Sequence, residues 1–166
     1  MNKETKKYMV WGAGVGLALV AVVGTIVIIR KRSKNKVDLS VFDSPDIPGS
    51  GKCMDKDFIK KLQKIEKITK LPIFKMINSG ARSPRHNKRV GGVRSSAHQM
   101  PTCKAADIKT RTKAIRNKIV KAAKEVGFKR IGIGKTFVHL DSDSSKPQYV
   151  AWGYPKGSRP PINPFT

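Results

Sequence analysis

A chain of 166 residues with 35 Lys and Arg against 11 Asp and Glu, a formal net charge of +24, has room for one domain of ordinary size and an appendage. That charge favours polyanionic partners, with nucleic acid, anionic lipid and the anionic polymers of a bacterial wall all open. Two cysteines, Cys53 and Cys103, exclude a disulfide-built scaffold; a single bridge stays open, and two free thiols are the expectation.

Residues 9–29 read MVWGAGVGLALVAVVGTIVII, 21 residues without a charge. At about 1.5 Å rise per residue such a helix spans the roughly 30 Å hydrocarbon layer. It is longer than the apolar part of a signal peptide and runs into Arg30, Lys31 and Arg32, so a retained single-pass anchor is expected, in a bacterial inner membrane or a phage virion membrane. Gly12 and Gly16 have the spacing that lets two such helices approach, which leaves a homodimer open. Lys3, Lys6 and Lys7 precede the span, while Arg30, Lys31, Arg32, Lys34 and Lys36 follow it. The positive-inside rule thus puts the C-terminal domain weakly on the cytoplasmic face.

Three parts follow from this: an anchor with its basic flank at 1–36, a linker or irregular lead-in at 37–54, and a domain at 55–166. Residues 37–166 carry 27 basic and ten acidic side chains, a net +17. The lead-in is marked by Pro, Gly, Ser and Asp. Asp55 is placed to cap a helix running to about Lys70, with Phe58, Leu62, Ile65 and Ile68 at three- and four-residue spacing and Pro72 to stop it. LPIFKMI is a short strand candidate. Residues 78–96 form a loop long enough that a functional role is expected. A second amphipathic helix fits Thr112 to Val126, with Ile115, Ile119, Val120 and Ala123 inward and Gly127 at its end. The runs RIGIG, TFVHLD and YVAWGY read as strands. The fold expected is α+β, one small mainly antiparallel sheet flanked by helices.

Only three histidines are present. His98 precedes the lone carboxylate of Asp107, and His139 sits in an apolar β run two residues before Asp141, on the same strand face. Two imidazoles and one carboxylate are a set that zinc accepts, leaving a fourth position open when the site is catalytic.

The segments SGARSPRHNKRVGGVRSSAH and AADI, then GIGKTFVHLD and AWGY, resemble the zinc D-Ala-D-Ala carboxypeptidase-like peptidases of bacteria and phages, the LAS family of peptidoglycan peptidases. Its signature is SxHxxGxAxD followed by a later histidine in an HxD context. The resemblance implies zinc held by His98, Asp107 and His139. It implies Arg82 as the arginine that grips a substrate carboxylate or steadies the oxyanion, and Ser96 as the motif serine that supports the site. The substrate implied is a peptidoglycan stem peptide, and the reaction is hydrolysis of its peptide bonds by an endolysin or virion-associated lytic enzyme. Two departures stand out. His98 and Asp107 are nine residues apart, two more than in the signature, with Cys103 in place of the motif glycine and available as a competing soft ligand. Thr136 occupies the place where several branches carry a carboxylate base. Asp141 is the substitute candidate for proton transfer, or else a carboxylate that orients His139. The rival expectation is a non-catalytic, membrane-tethered basic protein with a degenerate peptidase fold, binding nucleic acid or a capsid shell.

Overall fold

A computed structural model of the chain describes residues 37–166. The charge-free stretch at 9–29, with its expected anchoring role and the Gly12–Gly16 spacing, lies outside the described residues. Among the described residues no helix is long and apolar enough to cross a membrane.

Helix α1 (Lys56–Thr69) starts where the capping residue predicts, the Asp55 carboxylate accepting the Phe58 N–H at 2.8 Å. Phe58, Leu62 and Ile65 are fully buried, each burial stabilising by roughly 1.5–3 kcal/mol. Ile68 is 43% exposed instead, because one residue later Thr69 takes the inward position of the stripe. Helix α2 (Pro84–Arg89) is a short turn inside the expected 78–96 loop, capped by Ser83. Helix α3 (Lys113–Glu125) is capped by the Thr112 hydroxyl. It buries Ile119, Val120 and Ala123, and Gly127 follows it at φ 85°.

Five strands form one sheet: β1 (Ile77–Ser79), β2 (Ala105–Lys109), β3 (Arg130–Ile133), β4 (Phe137–Asp141) and β5 (Val150–Gly153), in the order β1-β2-β4-β3-β5. LPIFKMI supplies only the first residue of β1, after a 3₁₀ turn at Ile73–Met76. The architecture is α+β as expected, but the sheet is mixed rather than mainly antiparallel. Pairings β1–β2, β2–β4 and β4–β3 are antiparallel and β3–β5 is parallel. The reason lies in β4, which has β2 and β3 on its two sides. The chain leaving β4 adds its next strand at the β3 edge running opposite to β4, which makes the new pair with β3 parallel.

Register sorts the side chains. Ala106 faces Leu140, and Ile108 faces Val138, which in turn faces Ile133; all are buried on one side of the sheet. By the two-residue period, Asp107 and its partner His139 point to the other side.

Of residues 37–54, expected as a linker or irregular lead-in, residues 38–54 are irregular and belong to the compact unit Asp38–Thr166. Two 3₁₀ turns, Leu39–Phe42 and Ser50–Cys53, are tied by Asp43, whose carboxylate accepts the N–H groups of Gly49 and Gly51. Phe42 is fully buried and its carbonyl accepts the Ala81 N–H at 2.8 Å. Gly80 lies so close that a Cβ there would sit 2.6 Å from Phe42 Cα. The expectation of two free thiols is corrected. Cys53 and Cys103 form a disulfide across a Cα–Cα distance of 5.8 Å, beside the Asp55 N–H to Cys103 carbonyl bond.

Candidate metal centre

The turn from His98 to Cys103 brings the first donor to the sheet. The Arg82 N–H donates to the His98 carbonyl and the Met100 N–H to the Arg82 carbonyl, both at 2.9 Å, so backbone bonds fix the entry of the turn. The two additional residues are taken up within it, where the N–H groups of Thr102 and Cys103 both donate to the Gln99 carbonyl. Cys103 has φ 45°, the left-handed region natural to glycine, which accounts for the glycine of the signature at this place. The longer spacing therefore leaves His98 and Asp107 together. The sulfur of Cys103 is consumed in the bridge, so it is not free to compete as a soft ligand.

His98 is 2% exposed, and its Nδ1 lies 2.7 Å from the Gly80 carbonyl. A carbonyl only accepts, so Nδ1 carries the proton and Nε2 presents its lone pair. That Nε2 is 3.1 Å from His139 Nδ1 and 3.4 Å from Asp107 Oδ1, while His139 Nδ1 and Asp107 Oδ1 are 2.8 Å apart. Ligands about 2.0–2.1 Å from a tetrahedral zinc stand about 3.3 Å from one another. The three donor atoms fit zinc in type and in separation, and they form the candidate metal-binding group among the described residues.

The surrounding groups hold these donors. Arg82 donates from Nη2 to Asp107 Oδ2 at 2.6 Å and from Nε to the Ser79 hydroxyl at 2.9 Å. The oxygen facing the histidines is left to them. The Ser96 hydroxyl accepts the His98 N–H at 3.3 Å. Asp141 does not stand at the convergence point. Its Oδ2 is 4.0 Å from His139 Nε2, the ring nitrogen turned away from Asp107. It accepts from Arg130 Nε at 2.9 Å and from the Asp143 N–H at 2.7 Å. Thr136 is exposed and its carbonyl is engaged by the Thr110 N–H. His86 lies outside the cluster, with Nδ1 against Arg89.

Burial pushes the His98 imidazole below its ordinary pKa, which favours the neutral, ligating form. Burial alone would raise Asp107, yet the hydrogen bond from His139 outweighs it and holds the carboxyl well below the usual carboxylate range. For His139 burial acts downward, and the carboxylates of Asp107 and Asp141 outweigh it to raise the ring. Asp141 is opposed by burial but kept ionised at about 2 by His139, Arg130 and the Asp143 N–H. Two carboxylates around two imidazoles make a place where a cation is stabilised.

The cluster opens into a cleft of about 600 Å³ walled by Phe137, Trp152 and Tyr154. The Phe137 and Tyr154 rings are 4.7 Å apart, and Trp152 lies 5.4 Å from the His139 ring. Gly132 makes this wall fit, since a Cβ there would meet Trp152 and Tyr154 at 2.8 Å. Sequence reasoning collected His98, Asp107, His139, Arg82, Ser96 and Asp141, and all six line this cleft. It missed Gly80, whose carbonyl has no side-chain signal, and Arg130, one cation among many. The AWGY run gave no sign that its two aromatics would wall the cleft.

A family model described as peptidase M15 matches residues 32–141, about two thirds of the chain. No curated protein and no solved structure matches the chain significantly.

Proposed function

We propose, because the chain belongs to the peptidase M15 family and carries the donors for zinc, that it hydrolyses peptide bonds in the stem peptides of bacterial peptidoglycan. The observation that carries this reading is the convergence of His98 Nε2, His139 Nδ1 and Asp107 Oδ1 at the floor of an open cleft. When bound, zinc supplies Lewis acidity, which activates water near neutral pH and polarises a scissile carbonyl.

The chain's own residues supply the rest. The Gly80 carbonyl fixes the His98 tautomer, and Asp141, braced by Arg130, orients His139 from its far nitrogen. Asp141 is thus the orienting carboxylate of this site, and proton transfer falls to another group. Arg82 holds Asp107 and lines the cleft, where its guanidinium faces negative charge that develops on the substrate. The aromatic wall excludes water from one side of the peptide.

In this reading residues 9–29 tether the enzyme, and the basic surface holds it against an anionic wall or membrane. The Cys53–Cys103 bridge supports an oxidising surrounding and hence an outward-facing domain, against the Lys and Arg count. A phage membrane protein that meets the wall at entry, or a small bacterial wall enzyme, both fit.

The test is metal analysis of the purified protein together with mass spectrometry of peptidoglycan digested by it. Near one zinc per chain and new stem-peptide termini are expected. Zinc without new termini would replace this reading by the non-catalytic rival, which the exposed Thr136 favours. Protease added to spheroplasts separates the two facings, since an outward domain is cut.

A further inference from the structure

Helix α3 buries Ile119, Val120 and Ala123 and so turns Lys118, Lys121 and Lys124 outward, all three exposed. The three do not stand as scattered surface charges. They line one groove of about 460 Å³, which Ile162 and Pro164 from the end of the chain complete. No Asp or Glu lines this groove, and none of its lysines joins a salt bridge among the described residues. The hollow at Lys64, Lys67 and Lys70 differs in this respect, because Glu125 is part of its lining. No residue of the groove lines the metal cleft.

Beside the groove stands an aromatic ring that the fold leaves uncovered. Phe165, between Pro164 and Thr166 of the groove lining, meets Tyr149 with ring centroids 6.1 Å apart and planes at 89°. Tyr149 is 64% exposed, the one aromatic among the exposed large apolar side chains of the described residues. The Lys129 ammonium lies over its ring, 5.0 Å from the centroid. The backbone of Tyr149 has φ 60°, which a residue with a Cβ disfavours. Lys70 at φ 56° closes α1 and Cys103 fills a glycine place, whereas Tyr149 does neither. Its conformation is held from both sides. The Gln148 amide donates to the Asp143 and Lys146 carbonyls, and the Val150 N–H donates to the Lys129 carbonyl at 3.0 Å. Such strain persists only where the surroundings fix it, and its result here is a ring presented to solvent on a stiff mount.

We propose that the groove between α3 and the last residues of the chain, with Tyr149 beside it, is a binding site for single-stranded nucleic acid, whose phosphodiesters follow Lys118, Lys121 and Lys124 while a base stacks on Tyr149. A cationic groove flanked by an open aromatic face meets the two demands of that ligand, a charged backbone and unstacked planar bases. A glycerol-phosphate polymer would use the lysines and leave the ring idle. A lipid surface is flat, whereas these lysines line a hollow. The inference goes beyond the peptidase reading and does not depend on it, since groove and cleft share no residue.

The experiment measures binding of the full chain by fluorescence anisotropy over a range of salt. The probes are a labelled oligothymidylate of about 12 nucleotides and an abasic phosphodiester chain of the same length. The wild type is expected to bind the oligothymidylate about fivefold or more tighter than the abasic chain, the contribution of one stacked base. Tyr149→Gly, which suits φ 60° and removes the ring, should abolish that difference and leave abasic binding unchanged; Tyr149→Phe should keep it. Lys118→Gln, Lys121→Gln and Lys124→Gln together should lower the slope of log affinity against log salt by about two. The same change of charge on α1, at Lys56, Lys64 and Lys67, should leave the slope nearly as in the wild type. Equal effects of the two triple variants would reduce the groove to net charge and overturn the proposal. So would a Tyr149→Gly protein that still prefers bases, or a glycerol-phosphate polymer that displaces the oligonucleotide at equal phosphate concentration.

Discussion

Reduction of the Cys53–Cys103 bridge should cost this domain a large share of its stability. The two cysteines are 50 residues apart, and the loop they close includes α1, β1 and α2. Chain-entropy arithmetic for a loop of that length gives about 4 kcal/mol at 25 °C, taken from the unfolded ensemble. Domains of ordinary size have about 5–15 kcal/mol in all. The folded contacts beside the bridge, such as the Asp55 N–H to the Cys103 carbonyl at 3.1 Å, remain in the dithiol, so little should be returned by relaxation. The assay is urea unfolding of the protein with and without a phosphine reductant, with two thiols confirmed in the reduced sample. A drop of about 4 kcal/mol at an altered midpoint is expected. Coincident unfolding curves would refute the reasoning, because the loop closed in the native state would then not be the one that constrains the denatured chain.

His139→Ala should abolish zinc retention, measured by metal analysis after dialysis, and hydrolysis with it; a variant that keeps one zinc would show that the donors are assigned wrongly. Leu62→Ala should lower unfolding stability by about 2–5 kcal/mol, since Leu62 is fully buried between α1 and its neighbours, and chemical denaturation measures it. The Asp46 carboxylate, kept at about 2 by the hydroxyls of Ser44 and Ser83 against an ordinary 3.8, adds stability that is complete above pH 4 and vanishes as pH falls toward 2. Asp46→Asn should therefore have a lower thermal midpoint than wild type at pH 7, and the two should converge near pH 2.

Helices α1 and α3 were legible because each has a capping side chain and a buried stripe at helical spacing, and that pattern depends only on neighbours in sequence. The metal donors were legible because His98, Asp107 and His139 stand in motifs with a fixed order. Strand β2 was not read as a strand: AADIK has two alanines and a lysine, so its strand character comes from pairing with β4 and not from its own preferences. The disulfide was equally hidden, since nothing local to Cys53 says that a 3₁₀ turn will bring it to Cys103. The lead-in carried one large apolar side chain, Phe42, among turn residues, and its burial depends on Gly80 far along the chain. For Asp141 the residue was found but its direction was not, because the choice of ring nitrogen is settled by Arg130 and the Asp143 N–H in three dimensions.

Asp107 and His139 are direct partners across β2 and β4, with Ala106 and Ile108 beside them on the opposite side of the sheet. A slip of β2 by one residue against β4 would turn Asp107 toward the helices, bring the alanine and isoleucine to the cleft, and leave His139 without its partner. Metal capture is therefore a readout of correct strand alignment. A misaligned chain would be unstable and would also lack the complete donor set.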